Sequence, residues 1–113
     1  MSVLVIRAHK RFAVRRKARL DRSGKRAEEG LLIELSLDGC RISNLAPEAF
    51  ALDQTVTLRV DGAEPLDARI RWLNGGTIGL RFLRPLHTAA LDQLIRLCRG
   101  EARPTTTLRA FGT

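Results

Sequence analysis

Leu66-Asp67-Ala68-Arg69-Ile70-Arg71-Trp72-Leu73-Asn74-Gly75-Gly76-Thr77-Ile78-Gly79-Leu80-Arg81-Phe82 holds two alternating runs on either side of a turn signal. In the first run Leu66, Ala68, Ile70 and Trp72 share one face, and Asp67, Arg69 and Arg71 share the other. In the second, Ile78, Leu80 and Phe82 oppose Thr77, Gly79 and Arg81. Period two is the mark of a strand with one face buried and one wet. Asn74-Gly75-Gly76 between them is hairpin chemistry, because Asn and Gly accept positive φ at low cost. On this pattern Trp72 belongs to the inward set and reads as core.

Outward from the hairpin the same period recurs. Val56, Leu58 and Val60 point one way in the run from Thr55 to Val60, ahead of Asp61-Gly62. Leu31, Ile33 and Leu35 share a face in Leu31 to Leu35. Weaker alternation runs from Val14 to Leu20, with Val14, Ala18 and Leu20 inward, and from Gly39 to Ser43, with Cys40 and Ile42 inward. Six short strands at this spacing predict a mainly β fold, a six-stranded antiparallel β-barrel or sandwich. The period then changes. Leu91, Leu94, Ile95 and Cys98 recur at i, i+3, i+4 and i+7, which predicts a C-terminal amphipathic helix from Thr88 to Arg99. Pro85 ends the preceding strand, Thr88 is a candidate N-cap, and Gly100 is a C-terminal stop.

The organisation expected is therefore an arm or extra strand over residues 1–9, a barrel plus helix over 10–100, and a tail over 101–113 rich in Thr and containing Pro104. Length points to one domain with one modest core. Val3 to Ile6 is too short an apolar run for a signal peptide or a membrane span, which favours a cytoplasmic setting. Cys40 and Cys98 form no CxxC and read as small buried hydrophobes in a reducing compartment.

Charge narrows the class of partner. The chain carries 20 Lys+Arg against 12 Asp+Glu. Residues 7–26 alone hold ten basic residues and one acid, Asp21, a local net of +9. An anionic partner follows: a nucleotide, nucleic acid, a membrane surface or an acidic protein. Catalysis has little support. His9 and His87 lack a nucleophile or carboxylate partner, and the sequence holds no triad, carboxylate dyad, metal-ligand cluster, Walker loop or GxGxxG pattern.

Within the basic stretch, Arg11-Phe12-Ala13-Val14-Arg15 places two arginines four apart in a short linker leading into a strand. Further on, Glu34-Leu35-Ser36-Leu37-Asp38-Gly39 puts a carboxylate, a hydroxyl and a glycine at a strand end. An arginine fork binds phosphate in a bidentate manner, and its flat face stacks on a base. A carboxylate at Glu34 can accept from guanine N1–H and N2–H together, a donor pair that adenine lacks. Ser36 can donate to phosphate or base, and Gly39 either takes positive φ or lets a ligand approach the backbone. The bland alternatives are a solvated outer face for Glu34 and plain turn roles for Ser36 and Gly39.

These two motifs in order resemble the PilZ domain, a bacterial receptor module for cyclic di-GMP, whose pattern is RxxxR before the first barrel strand and [D/N]xSxxG ending the second. The segments Ile70-Arg71-Trp72 and Ile78 to Phe82 and the helix also fit, so the resemblance covers about residues 10–100. It implies a six-stranded split barrel and cyclic di-GMP bound by Arg11, Arg15, Glu34, Ser36 and Gly39, with Lys10 and Arg16 flanking. It also implies a mobile arginine linker that orders over the dianion and a changed surface for a protein effector. It implies no cofactor, no metal and no chemistry on the ligand. One departure stands out: Glu34 occupies the Asp/Asn position and is one methylene longer. Two other readings use the same residues. One is a small basic barrel binding nucleic-acid phosphates, which the scarcity of aromatics (four Phe, one Trp, no Tyr) opposes. The other is a PilZ-like domain that binds no nucleotide and only contacts proteins.

Overall fold

A computed structural model describes residues 10–100. The chain forms β1 (Phe12–Asp21), β2 (Glu28–Leu35), β3 (Gly39–Ser43), a 3₁₀ turn (Pro47–Ala49), β4 (Thr55–Arg59), β5 (Leu66–Asn74), β6 (Thr77–Phe82) and α1 (Thr88–Cys98). The strands close into an antiparallel barrel in the order β1-β2-β3-β6-β5-β4. Closure removes every sheet edge, so each strand is paired on both sides. All six strands and the helix expected from hydrophobic period are present. The arm at 1–9 and the tail at 101–113 lie outside the described residues.

The barrel interior is filled by aliphatic side chains, with Leu20, Leu32, Leu35, Ile42, Leu58 and Ile70 essentially inaccessible. The helix buries Leu91, Leu94, Ile95 and Cys98 against the same core. Its C-terminal end is tied to β1 from both sides. Arg99 donates to the Ala13 carbonyl from Nε (3.1 Å) and Nη2 (2.8 Å), and Arg16 Nη1 donates to the Leu97 carbonyl at 3.3 Å. The Asn74-Gly75-Gly76 turn is a tight hairpin in which Asn74 pairs with Thr77 and Gly75 adopts φ +62°.

Four sequence expectations need correction, two of them for a shared reason. In β2 the inward residues are Leu32 and Leu35, with Leu31 and Ile33 only half-buried. The β2–β3 register slips between Leu32 and Glu34, so Ile33 is an extra, bulged residue. In β5 the register against β6 slips between Ile70 and Trp72, so Arg71 is bulged. An extra residue breaks period two and moves every later side chain to the other face. Trp72 therefore leaves the core and stands on the outer surface, 38% exposed. The third correction is local: His87, not Thr88, is the N-cap of α1, and no side chain caps it. The arginine linker also divides differently from the expectation, because Arg15 and Arg16 lie within β1 and only Lys10 and Arg11 precede it.

Candidate functional site

The register of four neighbouring strand pairs lines up one row of residues across the barrel. Ala13 pairs with Glu34, Glu34 with Arg41, Arg41 with Gly79, and Gly79 with Trp72. The next row, Leu35–Cys40–Leu80–Ile70, faces the core. Alternation then puts the Glu34–Arg41–Gly79–Trp72 row on the outside. Both bulges are needed for this row to exist. Without Ile33 and Arg71 as extra residues, neither Glu34 nor Trp72 would fall in register with Arg41 and Gly79.

Side chains along the row touch. Glu34 Oε1 lies 3.6 Å from Arg41 Nη2 and 3.6 Å from Arg11 Nη1. The Arg41 guanidinium stands 5.5 Å from the centroid of the Trp72 ring. Gly79 makes that reach possible, because the indole of Trp72 fills the space a side chain there would need. Arg41 Nε is buried and has no hydrogen-bond partner, so this pose leaves one donor unsatisfied. Arg71 and Arg81 complete the rim of an open pocket of about 190 Å³. Four arginines line this small pocket with Glu34 and Asp38 as its acids, so its lining is net positive.

The strand-end motif forms the pocket's other wall. Ser36 is 6% exposed, and its hydroxyl is engaged within the turn. It donates to Asp38 Oδ1 at 2.9 Å, lies 3.2 Å from the Gly39 carbonyl, and accepts from the Gly39 N–H at 3.2 Å. The Ser36 N–H donates to the Gly39 carbonyl at 2.9 Å, which closes the turn. Gly39 does not take positive φ. It is glycine because the Leu80 carbonyl of β6 occupies the place of a Cβ.

Four of the sequence-predicted ligand residues, Arg11, Glu34, Ser36 and Gly39, line this one pocket. Arg15 does not. It lines a separate concavity beside the helix end, with Cys98 and Arg99. Arg16 turns toward the helix and also donates to the Asp61 carbonyl at 3.2 Å. Lys10 sits 5.5 Å from the ring centroid of Phe12. Sequence reasoning missed Arg41, Arg71, Arg81 and Trp72 as site residues. Only the bulges bring Trp72 and Arg71 there, and a bulge has no signature in hydrophobic period. Arg41 had a legible signal: it follows the motif glycine by two residues and so faces outward on the same strand.

Among the described residues, no group of three or more His, Cys, Asp or Glu is placed to hold a metal ion. No described helix is long and apolar enough to cross a membrane.

Comparison with known proteins agrees with the architecture. No curated protein matches the chain. Among solved structures it is similar to the PilZ domain of CeSA from a cellulose synthesizing bacterium, with 22% identity and a TM-score of 0.61, covering 80% of this chain and 96% of that one. That likeness carries the barrel and its helix. The family model of the PilZ domain matches residues 6–100, both motifs included, and the chain therefore belongs to the PilZ domain family.

Proposed function

We propose that this chain is a cyclic di-GMP receptor that passes the signal to a protein effector through a changed surface. The PilZ family is a family of regulatory binding modules rather than enzymes, which sets the class. The observation that carries the finer reading is the convergence of Arg11, Glu34, Ser36 and Gly39 on one arginine-rimmed pocket. Glu34 offers its carboxylate to the N1–H and N2–H edge of guanine. Arg11, with Arg71 and Arg81 on the rim, faces the phosphates. Trp72 supplies an aromatic face for a base.

Arg15 needs movement to take part. It sits on β1 near the helix end, so a ligand that recruits it must draw the start of β1 toward the pocket. Ala13, two residues before it, is held by Arg99 of the segment following α1. Movement at the nucleotide would thus be felt at the helix, a route to an altered surface. Phosphate contacts and stacking supply a large part of the binding energy, and guanine-edge bonds with burial of the base add the rest. Micromolar binding needs about 8 kcal/mol. Two charged phosphate contacts contribute ~1.5–3 kcal/mol each, and base stacking on an aromatic ~1–3.

The test is calorimetric titration at physiological salt with cyclic di-GMP, GTP and a short DNA duplex. Saturable binding of cyclic di-GMP at low micromolar or tighter, mostly lost in Arg15→Ala, is expected. Absence of heat and saturation removes the reading. Sequence-specific, nanomolar duplex binding in a salt titration would replace it with nucleic-acid recognition.

A further inference from the structure

The pocket already contains a mimic of the base proposed to enter it. A guanidinium presents parallel N–H bonds to a carboxylate, as guanine does with N1–H and N2–H, and both are flat enough to stack on an aromatic ring. Arg41 approaches both groups at once, through one guanidinium nitrogen toward the carboxylate and its flat end toward the ring. Its Nη2 faces Glu34 Oε1 at 3.6 Å, and its guanidinium sits over Trp72 at 5.5 Å. Neither contact is tight, and its Nε is buried without a partner. An incompletely satisfied side chain occupies the two groups a guanine would use.

We propose that Arg41 is an internal competitor for guanine: it occupies Glu34 and Trp72 in the free protein and must swing away before a base can be read. The proposal rests on the nucleotide reading above and adds to it a residue that sets the affinity threshold. The Arg41 side chain is 36% exposed, so a path outward exists. Gly79, its neighbour on β6, carries no side chain, and the space above it is taken by the Trp72 indole, so the way out for Arg41 is toward solvent. Once displaced, the guanidinium lies beside the phosphates and finds the acceptors that its Nε lacks. The same arginine would then oppose weak guanine ligands such as GMP and yield to a ligand carrying two phosphates.

The experiment compares the wild-type chain with Arg41→Met, which keeps an unbranched apolar stem and removes the donors and the charge, and with Arg41→Gln as a second variant. Each is titrated with cyclic di-GMP and with GMP. Trp72 is the sole tryptophan, so its fluorescence reports on the site directly. In the absence of ligand, both variants should shift Trp72 emission. GMP affinity should rise by about fivefold to tenfold, the equivalent of ~1–1.4 kcal/mol for one exposed ion pair and one cation–π contact. Cyclic di-GMP should gain less, because it loses a phosphate contact when Arg41 is absent. Variants that bind GMP no better than wild type, or more weakly, overturn the competitor and leave the receptor reading intact. A silent wild type with binding variants supports the competitor and removes the receptor role from the native chain. Failure of every form to bind either nucleotide overturns both.

Discussion

The indole of Trp72 occupies the space that a side chain at Gly79 would need. The two residues are directly paired across β5 and β6, one register step beyond the Arg71 bulge. A small residue at Gly79 is thus the condition for Trp72 to lie along the row and meet Arg41. Gly79→Ala should push the indole off the surface. Trp72 emission should move to longer wavelength, and cyclic di-GMP affinity should fall by about tenfold as the stacking face is lost. Stability should drop by only ~1 kcal/mol, since the displaced ring is already partly in water. An Ala variant that shifts emission yet retains affinity would show that Trp72 plays no part at the site.

Glu34 is the residue at which this chain departs from its family's Asp/Asn position. Its carboxylate is shared between Arg11 and Arg41 through one oxygen, at ion-pair rather than hydrogen-bond distance. Shortening it by one methylene withdraws it from both cations and costs little, because neither pair is tight. Glu34→Asp should therefore keep or tighten cyclic di-GMP binding when titrated calorimetrically. Loss of binding in that variant would mean that Glu34 does not read the guanine edge.

How far the sequence carried the fold depends on where period two holds. β4 and β6 alternate without interruption, and their inward residues Val56, Leu58, Ile78, Leu80 and Phe82 are all buried as their pattern predicts. The alternation fails at Ile33 and at Arg71, both next to the pocket. There the chain inserts an extra residue to re-aim the side chain that follows. These insertions are set by pairing with another strand, which no local pattern records. The candidate site divides in the same way. The motif residues Arg11, Glu34, Ser36 and Gly39 were legible from residue type and spacing. Trp72 was misassigned to the core because only the β5–β6 register reveals that it faces out. Arg15 matched the motif, yet its strand places it beside the helix end.

The two cysteines predict an alkaline limit to stability. Burial, and secondarily the neighbouring Cys98 thiol, push the Cys40 pKa far up, and burial also raises that of Cys98, with Arg16 partly offsetting it. A raised folded-state pKa means the thiols stay protonated in the native protein while the unfolded chain ionises near its ordinary value. Their contribution is full below that value and is progressively lost as pH rises above it. Stability in chemical denaturation should be flat with respect to these groups up to about pH 8 and should then fall, by at most ~1.4 kcal/mol per pH unit for each thiol. Cys40→Ala should flatten that decline. An unchanged slope would place the alkaline loss in other groups.

Gly39 and Gly75 are both turn-adjacent glycines, and they should respond differently to alanine for different physical reasons. At Gly75 nothing lies within 4 Å of an added Cβ, and the obstacle is the φ of +62°. Its replacement should cost ~1 kcal/mol, the penalty for an L-residue in the left-handed region. At Gly39 the backbone angle is ordinary, but the Leu80 carbonyl stands where the Cβ would go. That carbonyl is main chain within the β3–β6 pairing, so it cannot rotate aside as a side chain would. Relief would require the two strands to separate. It would also disturb the turn closed by the Ser36 hydroxyl and the Gly39 backbone. Gly39→Ala should lose ~2–3 kcal/mol in urea unfolding, more than Gly75→Ala. The urea dependence of both should stay near that of wild type, because neither changes the surface exposed on unfolding. Equal losses at the two glycines would mean that the barrel relaxes around Gly39. The motif glycine would then be kept for the ligand's approach and not for the close contact of β3 with β6.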